Sequence, residues 1–193
     1  MMNLIKMKTS RESNYESNNF VESADQLYDL SQIDRALNDM ALMIENDFTH
    51  HTPLVIGIMN GAMVTLGHLL PKLNFLLELD YCHATRYGEN TCGGEVAWLA
   101  YPQKPLKGRH VLLVDDIFDE GVTLKHIAEY CLAQGALEVK SAVLLTKQHQ
   151  RKVDHFTVDY TALTIADRYV FGFGLDYKGW HRNAAGIFAL TEE

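Results

Sequence analysis

The sequence predicts an α/β fold with a central, mainly parallel sheet flanked by helices. Short apolar runs alternate with segments whose apolar residues recur at helical spacing. The clearest unit is a strand over 110–114, a helix over 124–134 and a strand over 139–145. This order implies parallel strands joined by a right-handed crossover. The chain has 193 residues, 47% of them hydrophobic and 22% charged, which suits one well-filled core.

The first half of the chain supplies the outer elements. Residues 1–20 are polar and are expected to form a flexible arm, with the folded domain over 21–193. A helix is predicted over 23–47, where apolar residues fall three or four positions apart. These residues are Leu27, Leu30, Ile33, Leu37, Met40 and Ile44. A strand over 54–59, the turn Asn60-Gly61 and a helix over 62–70 that stops at Pro71 come next.

The remaining elements are predicted from shorter apolar runs and from turn residues. Strands are predicted over 75–82 and 96–101, separated by a Gly-rich, polar loop at 87–94. The turn at 102–108 contains two prolines and a glycine. The last apolar stretches are short, so the end of the chain, from about residue 170 to 193, is expected to fold back as a small cap.

Composition excludes several classes of function. The net charge of −8 argues against a nucleic-acid partner, which favours a basic surface. No apolar run approaches the length of a membrane span. The three cysteines lack metal-ligand spacing and fit free thiols in a reducing compartment, so a cytoplasmic location is expected.

The segment from Asp115 to Thr123 holds the strongest chemical signal. It follows a buried strand and leads into a helix, whose free N–H groups favour a phosphate. Gly121 allows the backbone to approach a ligand closely, and Thr123 adds a hydroxyl donor. Asp115, Asp116 and Asp119 repel one another unless a cation or sugar hydroxyls lie between them. A magnesium-bound sugar phosphate fits these features, and a solvated acidic turn that caps the helix is the alternative.

Residues 111–124, Val-Leu-Leu-Val-Asp-Asp-Ile-Phe-Asp-Glu-Gly-Val-Thr-Leu, resemble the phosphoribosyl pyrophosphate motif of the type I phosphoribosyltransferases. The segment Leu144-Leu145-Thr146-Lys147 and the segment 167–177 followed by Arg182 are similar to those of the hypoxanthine-guanine phosphoribosyltransferases. The resemblance runs from about residue 54 to residue 190. It implies a type I phosphoribosyltransferase-like fold, in which a central, mainly parallel sheet is flanked by helices and carries a small cap, or hood, subdomain. The hood would be formed by residues from about 170 to 193, and part of the N-terminal region is a second candidate for it.

The resemblance also implies roles for the residues of the motif. Asp115 and Asp116 would hold the ribose hydroxyls directly or through Mg²⁺. The backbone of Glu120, Gly121, Val122 and Thr123 would hold the 5′-phosphate. Asp119 would lie near N7 of the purine as the general base or proton relay.

The remaining implied roles concern the base and the pyrophosphate. Lys147 would donate to O6 of a 6-oxopurine, Tyr169 would stack on the base, and the Val170 backbone would meet its edge. Asp176 would bind a second Mg²⁺, and Arg182 would contact the pyrophosphate. Asn60 and Gly61 would form the pyrophosphate turn, with a cis peptide as a hypothesis, and Tyr87 would be the inner aromatic residue of a mobile flap.

The implied activity is transfer of a phosphoribosyl group from phosphoribosyl pyrophosphate to hypoxanthine or guanine, by a homodimer or homotetramer. Three positions depart from the family's pattern. The family usually has a hydroxyl donor in place of Glu120, and it often has a lysine or arginine in place of Val122 and of Asn60. Two alternatives therefore stay open: an enzyme of the same fold that prefers xanthine or another base, and a regulatory protein that senses phosphoribosyl pyrophosphate or a nucleotide. Four histidines in polar surroundings, His50, His51, His149 and His155, are expected to be surface groups.

Overall fold

The computed structural model describes residues 21, 23–86 and 96–191, which form two sheets and three α-helices. The strands are β1 (Asp25–Tyr28), β2 (Leu54–Ile58), β3 (Glu78–Arg86), β4 (Val96–Ala100), β5 (His110–Phe118), β6 (Glu138–Gln148), β7 (Tyr160–Ala166), β8 (Val170–Phe171) and β9 (Ile187–Ala189). The helices are α1 (Leu30–Phe48), α2 (Ala62–Leu69) and α3 (Val122–Ala133), with a 3-10 turn at Leu70–Lys72. None of these helices is long and apolar enough to cross a membrane.

The larger sheet has six strands in the order β4-β3-β2-β5-β6-β7. All neighbouring pairs are parallel except β3 and β4, which are antiparallel. Strand β7 continues the parallel sheet although its connection to β6, residues 149–159, contains no helix. The predicted α/β fold with a mainly parallel central sheet is therefore confirmed.

The two faces of this sheet bury separate cores. Alternate residues of a strand point to opposite faces, so Leu112 packs in the core with α1 and α2, while Leu113 packs in the core with α3. Buried Leu37 of α1 and Ile127 of α3 lie in these two cores, and both are fully inaccessible to solvent. The central strands are thus covered on both faces, so a ligand site is expected at their ends and not on a face of the sheet.

The first helix is shorter than its apolar spacing predicts. A helix over 23–47 is wrong at its start, because residues 25–28 form β1 and the helix begins at Leu30. Asp29 caps the helix, accepting from the backbone N–H of Gln32 at 2.8 Å while the Gln32 side chain accepts from the Asp29 N–H. This capping box fixes the boundary. Leu27 belongs to a strand whose partner, β9, lies at the other end of the chain.

The second sheet has three antiparallel strands in the order β1-β9-β8. Val170 of β8 and Ile187 of β9 are buried in the same core as α1. The Arg168 side chain donates to Asp25 at 2.5 Å and to the Leu190 carbonyl at 2.7 Å. These contacts join the start and the end of the described chain beside the larger sheet.

Two central strands extend beyond their apolar runs. β5 continues to Phe118, so Asp115 and Asp116 lie within the strand and not in the loop after it. β6 continues to Gln148 and therefore includes Lys147. Because β5 and β6 are parallel neighbours, their carboxyl ends bring these polar side chains to one edge of the sheet.

Candidate active site

Two adjoining cavities open at the carboxyl ends of the central strands. The larger has a volume of about 470 Å³ and the smaller about 200 Å³. Asp116, Ile117, Asp119 and Asp176 line both. The larger is also lined by Asn60, Gly61, Asp115, Glu120, Gly121, Val122, Thr123 and Arg182, and the smaller by Lys147, Tyr169 and Val170. Every predicted site residue therefore lines one of the two cavities except Tyr87, which lies outside the described residues.

The turn between β5 and α3 forms one wall of the larger cavity. Gly121 has a φ of +85°, a left-handed conformation that favours glycine. A Cβ at this position would lie 2.1 Å from Cε2 of Phe118, so there is no room for a side chain. Helix α3 begins at Val122. Its free N–H groups and the positive end of its dipole are suited to an anion.

Asp115 and Asp116 lie side by side on the last part of β5. The backbone N–H of Asp116 donates to Oδ1 of Asp115 at 2.9 Å. Burial raises the pKa of Asp115 well above its ordinary value, and the neighbouring Asp116 carboxylate raises it further. Burial also raises the pKa of Asp116, although Asp115 and Arg182 oppose the shift. Two partly buried acids with raised pKa values are a donor set that a hard cation or sugar hydroxyls would stabilise in the ionised form.

The turn after β2 approaches this acid pair closely. The peptide bond between Met59 and Asn60 is cis, as hypothesised for this turn. A Cβ at Gly61 would lie 2.1 Å from Oδ2 of Asp116. Because the φ of Gly61 is an ordinary −57°, glycine is needed here for space and not for its backbone conformation.

Arg182 links the C-terminal segment to β5. Its guanidinium donates to Oδ1 of Asp176 and to the Gly174 carbonyl, both at 2.5 Å, and lies 3.9 Å from Oδ2 of Asp116. Oδ2 of Asp176 accepts from the N–H of Gly179 at 2.7 Å. Backbone contacts therefore hold Arg182 and Asp176 in the lining of the larger cavity.

Asp119 receives two hydrogen bonds from the end of β6. Nζ of Lys147 lies 2.9 Å from Oδ2, and Nε2 of His149 lies 2.6 Å from Oδ1. Partial burial raises the pKa of Asp119, but the bonds from Lys147 and His149 outweigh it, and the net pKa is below the ordinary value. Asp119 is thus an ionised carboxylate on the boundary between the two cavities.

The expectation that His149 is a surface group is wrong. Only 5% of its side chain is exposed, and the ring is bonded to Asp119. Lys147 is in the last part of β6, and His149 is the first residue after the strand. A spacing of two positions would place both side chains on one face if the extended backbone continued. That spacing was the one signal in the sequence, and the contact itself depends on β5 lying beside β6.

The family described as the phosphoribosyl transferase domain matches residues 23–178. A protein of Streptococcus pneumoniae named hypoxanthine-guanine phosphoribosyltransferase is 33% identical over 163 residues, 84% of this chain and 90% of that protein. A Bacillus subtilis protein of the same name is 29% identical over 160 residues, 82% of this chain and 88% of that protein. These matches cover nearly the whole length of both relatives.

The fold is similar to that of a solved structure with a related name. A crystal structure of a hypoxanthine phosphoribosyltransferase from Staphylococcus aureus superposes with a TM-score of 0.84 at 25% identity, covering 91% of this chain and 95% of that chain.

Proposed function

Because this chain belongs to the phosphoribosyl transferase family, we propose that it is a purine-salvage enzyme that moves the phosphoribosyl group of phosphoribosyl pyrophosphate to N9 of hypoxanthine or guanine. The products are IMP or GMP and pyrophosphate. The observation that carries the proposal is the pair Asp119 and Lys147, joined at 2.9 Å on the boundary of two adjoining cavities. One cavity would hold the base, and the other the sugar phosphate.

The smaller cavity would take the purine. Lys147 would donate to O6, and Asp119 would accept the proton of N7 as the base becomes more acidic during the reaction. Tyr169 is half exposed beside this cavity, and its ring packs edge-on against Tyr177 at 5.4 Å, which supports a stacking role. The Val170 backbone would meet the edge of the base. An ammonium donor at O6 favours a 6-oxo over a 6-amino purine.

The larger cavity would take the ribose and its phosphates. The N–H groups of residues 120–123, with the hydroxyl of Thr123, would hold the 5′-phosphate at the start of α3. Glu120 would serve through its backbone, since an ionised carboxylate cannot donate to a phosphate. Val153 donates its N–H to the Glu120 carbonyl at 2.8 Å, which fixes this part of the turn.

The acidic residues fit Mg²⁺ as the cofactor. Asp115 and Asp116 would hold the ribose hydroxyls or one ion, and Asp176 would hold a second ion near the pyrophosphate. Carboxylate oxygens are the ligands Mg²⁺ prefers, and the raised pKa values of Asp115 and Asp116 support a cation there. Bound Mg²⁺ would neutralise charge on the leaving pyrophosphate.

The protein's part in the reaction would be positioning and electrostatics. Asp119 stabilises positive charge that develops at the sugar and base, and Arg182 with the turn Asn60-Gly61 would hold the departing pyrophosphate. Purine N9 then attacks C1′ as the bond from C1′ to the pyrophosphate oxygen breaks, and no covalent enzyme intermediate is needed.

We also propose that the three-stranded sheet is the hood over the base, with β1 contributing from the N-terminal side. The pairing of β1 with β9 and the place of Val170 in the lining of the smaller cavity support this assignment. Residues 21–193 would then form the phosphoribosyltransferase domain.

A homodimer or homotetramer is proposed on the basis of one exposed apolar face. Met63, Leu79 and Tyr81 are 58%, 45% and 50% exposed and line a groove of about 790 Å³. A second copy that buries this face would remove apolar area from water. Light scattering at micromolar concentration should give at least twice the chain mass of 21.9 kDa, and a monomer would contradict the proposal.

The activity is tested with phosphoribosyl pyrophosphate, magnesium and four bases in parallel: hypoxanthine, guanine, xanthine and adenine. We expect nucleotide formation with hypoxanthine or guanine, none with adenine, and a loss of about 100-fold or more in kcat in Asp119→Asn. The matched control is Asp34→Asn, a surface acid that forms a salt bridge with Lys72 and lines neither cavity. Turnover of xanthine alone would favour the related transferase, and nucleotide binding without turnover would favour a sensor.

A further inference from the structure

The hydrogen bonds of His149 define which of its ring nitrogens carries the hydrogen. Nδ1 accepts from the backbone N–H of Arg151 at 3.0 Å. A nitrogen that accepts an N–H bond has a free lone pair, so in a neutral ring the hydrogen is on Nε2. Nε2 is the atom that lies 2.6 Å from Oδ1 of Asp119. His149 is therefore arranged as a donor to that carboxylate.

The backbone that orients His149 is itself fixed on both sides. Arg151 forms a bidentate ion pair with Asp167 at 2.6 and 3.0 Å. Two residues later, Val153 donates to the Glu120 carbonyl at 2.8 Å. The ring is thus held by a short segment that is anchored to the turn beside Asp119, which is the arrangement a precise donor requires.

His149 approaches Asp119 from outside the site. It belongs to the lining of neither cavity, whereas Lys147 lines the smaller one and donates to Oδ2. Oδ1 is thus paired with a residue outside both cavities, and Oδ2 is paired with a residue that lines the smaller one. When O6 of a base takes a hydrogen bond from Lys147, the bond from His149 remains to hold Asp119.

A metal ion is the competing interpretation of the same residues. Asp119, His149 and Asp167 offer ligand atoms within 4.8 Å of one another. The ammonium of Lys147 and the guanidinium of Arg151 already pair with the two carboxylates. Two fixed cations repel a third positive charge and occupy the acceptor oxygens, so an ion-pair network accounts for the cluster.

We propose that His149 is a positioning residue for the transfer reaction: it holds Oδ1 of Asp119 so that Oδ2 faces N7 of the purine. This inference rests on the proposed function, because it assigns His149 a part in that reaction through Asp119. His149 touches neither the base nor the sugar.

The test compares His149→Leu with His149→Gln, because the glutamine amide can still donate from the place of Nε2 and leucine cannot. We expect the leucine variant to lose about 10- to 100-fold in kcat, the range of one hydrogen bond to a charged group. The KM for phosphoribosyl pyrophosphate should change by less than about threefold, since His149 does not line the cavity proposed for it and the residues of the phosphate turn are unchanged. The glutamine variant should recover most of kcat. His50→Leu, an exposed histidine, is the control.

A second measurement examines the unchanged protein without turnover. Nitrogen-15 NMR of labelled histidine rings assigns the signals of His149 as those that vanish in His149→Gln, and these should be the signals of a ring with hydrogen on Nε2 and a free lone pair on Nδ1. If the signals that vanish come from a ring with hydrogen on Nδ1, the proposal is overturned. So would equal kcat values in the leucine variant and the unchanged protein, or a glutamine variant no better than leucine at matched thermal stability.

Different results would contradict the proposed transfer activity and the positioning role of His149. Absence of turnover with every base in the unchanged protein overturns the proposed function, and the positioning role with it. Normal turnover that is insensitive to His149→Leu overturns the positioning role alone.

Discussion

Nζ of Lys147 donates to Oδ2 of Asp119 at 2.9 Å, although 28 positions separate the two residues. The bond links the end of β6 to the turn after β5. Lys147, proposed to select the base, is thus hydrogen-bonded to Asp119, proposed to accept its proton. Substitutions at the two positions should differ in what they change: selection of the base at Lys147, and kcat at Asp119.

Replacing Lys147 by methionine should weaken the use of 6-oxopurines. The variant loses a charged donor to O6, so kcat/KM for hypoxanthine should fall by about 10- to 100-fold. The ratio of hypoxanthine to adenine rates should fall with it, as measured by competition between the two bases. Lys104→Met, which removes a surface ion pair with Glu78, is the control, and an unchanged base ratio in Lys147→Met would count against the assigned role.

Replacing Gly61 by alanine should damage the sugar-phosphate site by crowding alone. The new Cβ would meet Oδ2 of Asp116 at 2.1 Å, so the carboxylate must move. We expect the KM for phosphoribosyl pyrophosphate to rise by about tenfold or more, which a displaced side chain in a site of this kind can produce.

The matched control for this steric effect is Gly67→Ala in α2, the helix that follows Gly61. A Cβ at Gly67 meets nothing within 4 Å, and alanine in a helix is more stable than glycine by about 0.5–1 kcal/mol. The control should keep its KM and melt at a slightly higher temperature. Equal KM values for the two variants would show that Asp116 is not needed where we place it.

Replacing Asp176 by asparagine should raise the magnesium requirement. Asparagine keeps the size and one acceptor oxygen, but it removes the charge that a Mg²⁺ ion would meet. The magnesium concentration for half-maximal rate should rise by about tenfold, and calorimetry should show weaker binding of magnesium pyrophosphate. Asp34→Asn, a surface acid paired with Lys72, should leave both quantities unchanged. A normal magnesium titration in Asp176→Asn would remove this residue from the metal site.

A network between α1 and the sheet should make stability depend on pH. Asp47 accepts from Lys140 at 2.6 Å and also from the hydroxyl of buried Tyr160. These bonds, Lys140 first, lower the pKa of Asp47 below its ordinary value of 3.8. Stability from a group with a lowered pKa is present above its unfolded value and is lost as pH falls through the folded value.

The measurement is urea unfolding of Asp47→Asn between pH 7 and pH 2.5. The variant should be less stable than the unchanged protein at pH 7, and the difference should shrink as pH falls below the ordinary pKa of 3.8. Tyr160→Phe should cost about 1–2 kcal/mol at pH 7. Asp39→Asn, an exposed acid on the same helix, should stay within about 0.5 kcal/mol, and a pH-independent difference for Asp47→Asn would contradict the argument.

Local sequence determined the unit that carries the phosphate turn. The apolar run of β5, the Asp-rich turn, Gly121 and the periodic helix α3 are adjacent in the chain, so propensity and spacing predict them. The predicted site residues at the ends of β2, β5 and β6 line the two cavities because parallel strands bring their carboxyl ends to one edge. The sequence by itself therefore predicted the fold class, and its resemblance to a family named the residues that line the two cavities.

Tertiary structure decided the contacts between distant segments. Apolar spacing placed Leu27 in a helix, and only the pairing of β1 with β9 makes it part of a strand. The polar neighbours of His149 in the sequence predicted a surface residue. Because β6 lies beside β5, its ring instead contacts Asp119, 30 positions away. Periodicity reports which face of an element is apolar, but it carries no information about which distant segment that element will meet. Those contacts depend on the packing of the whole chain, and they set the orientation of Asp119.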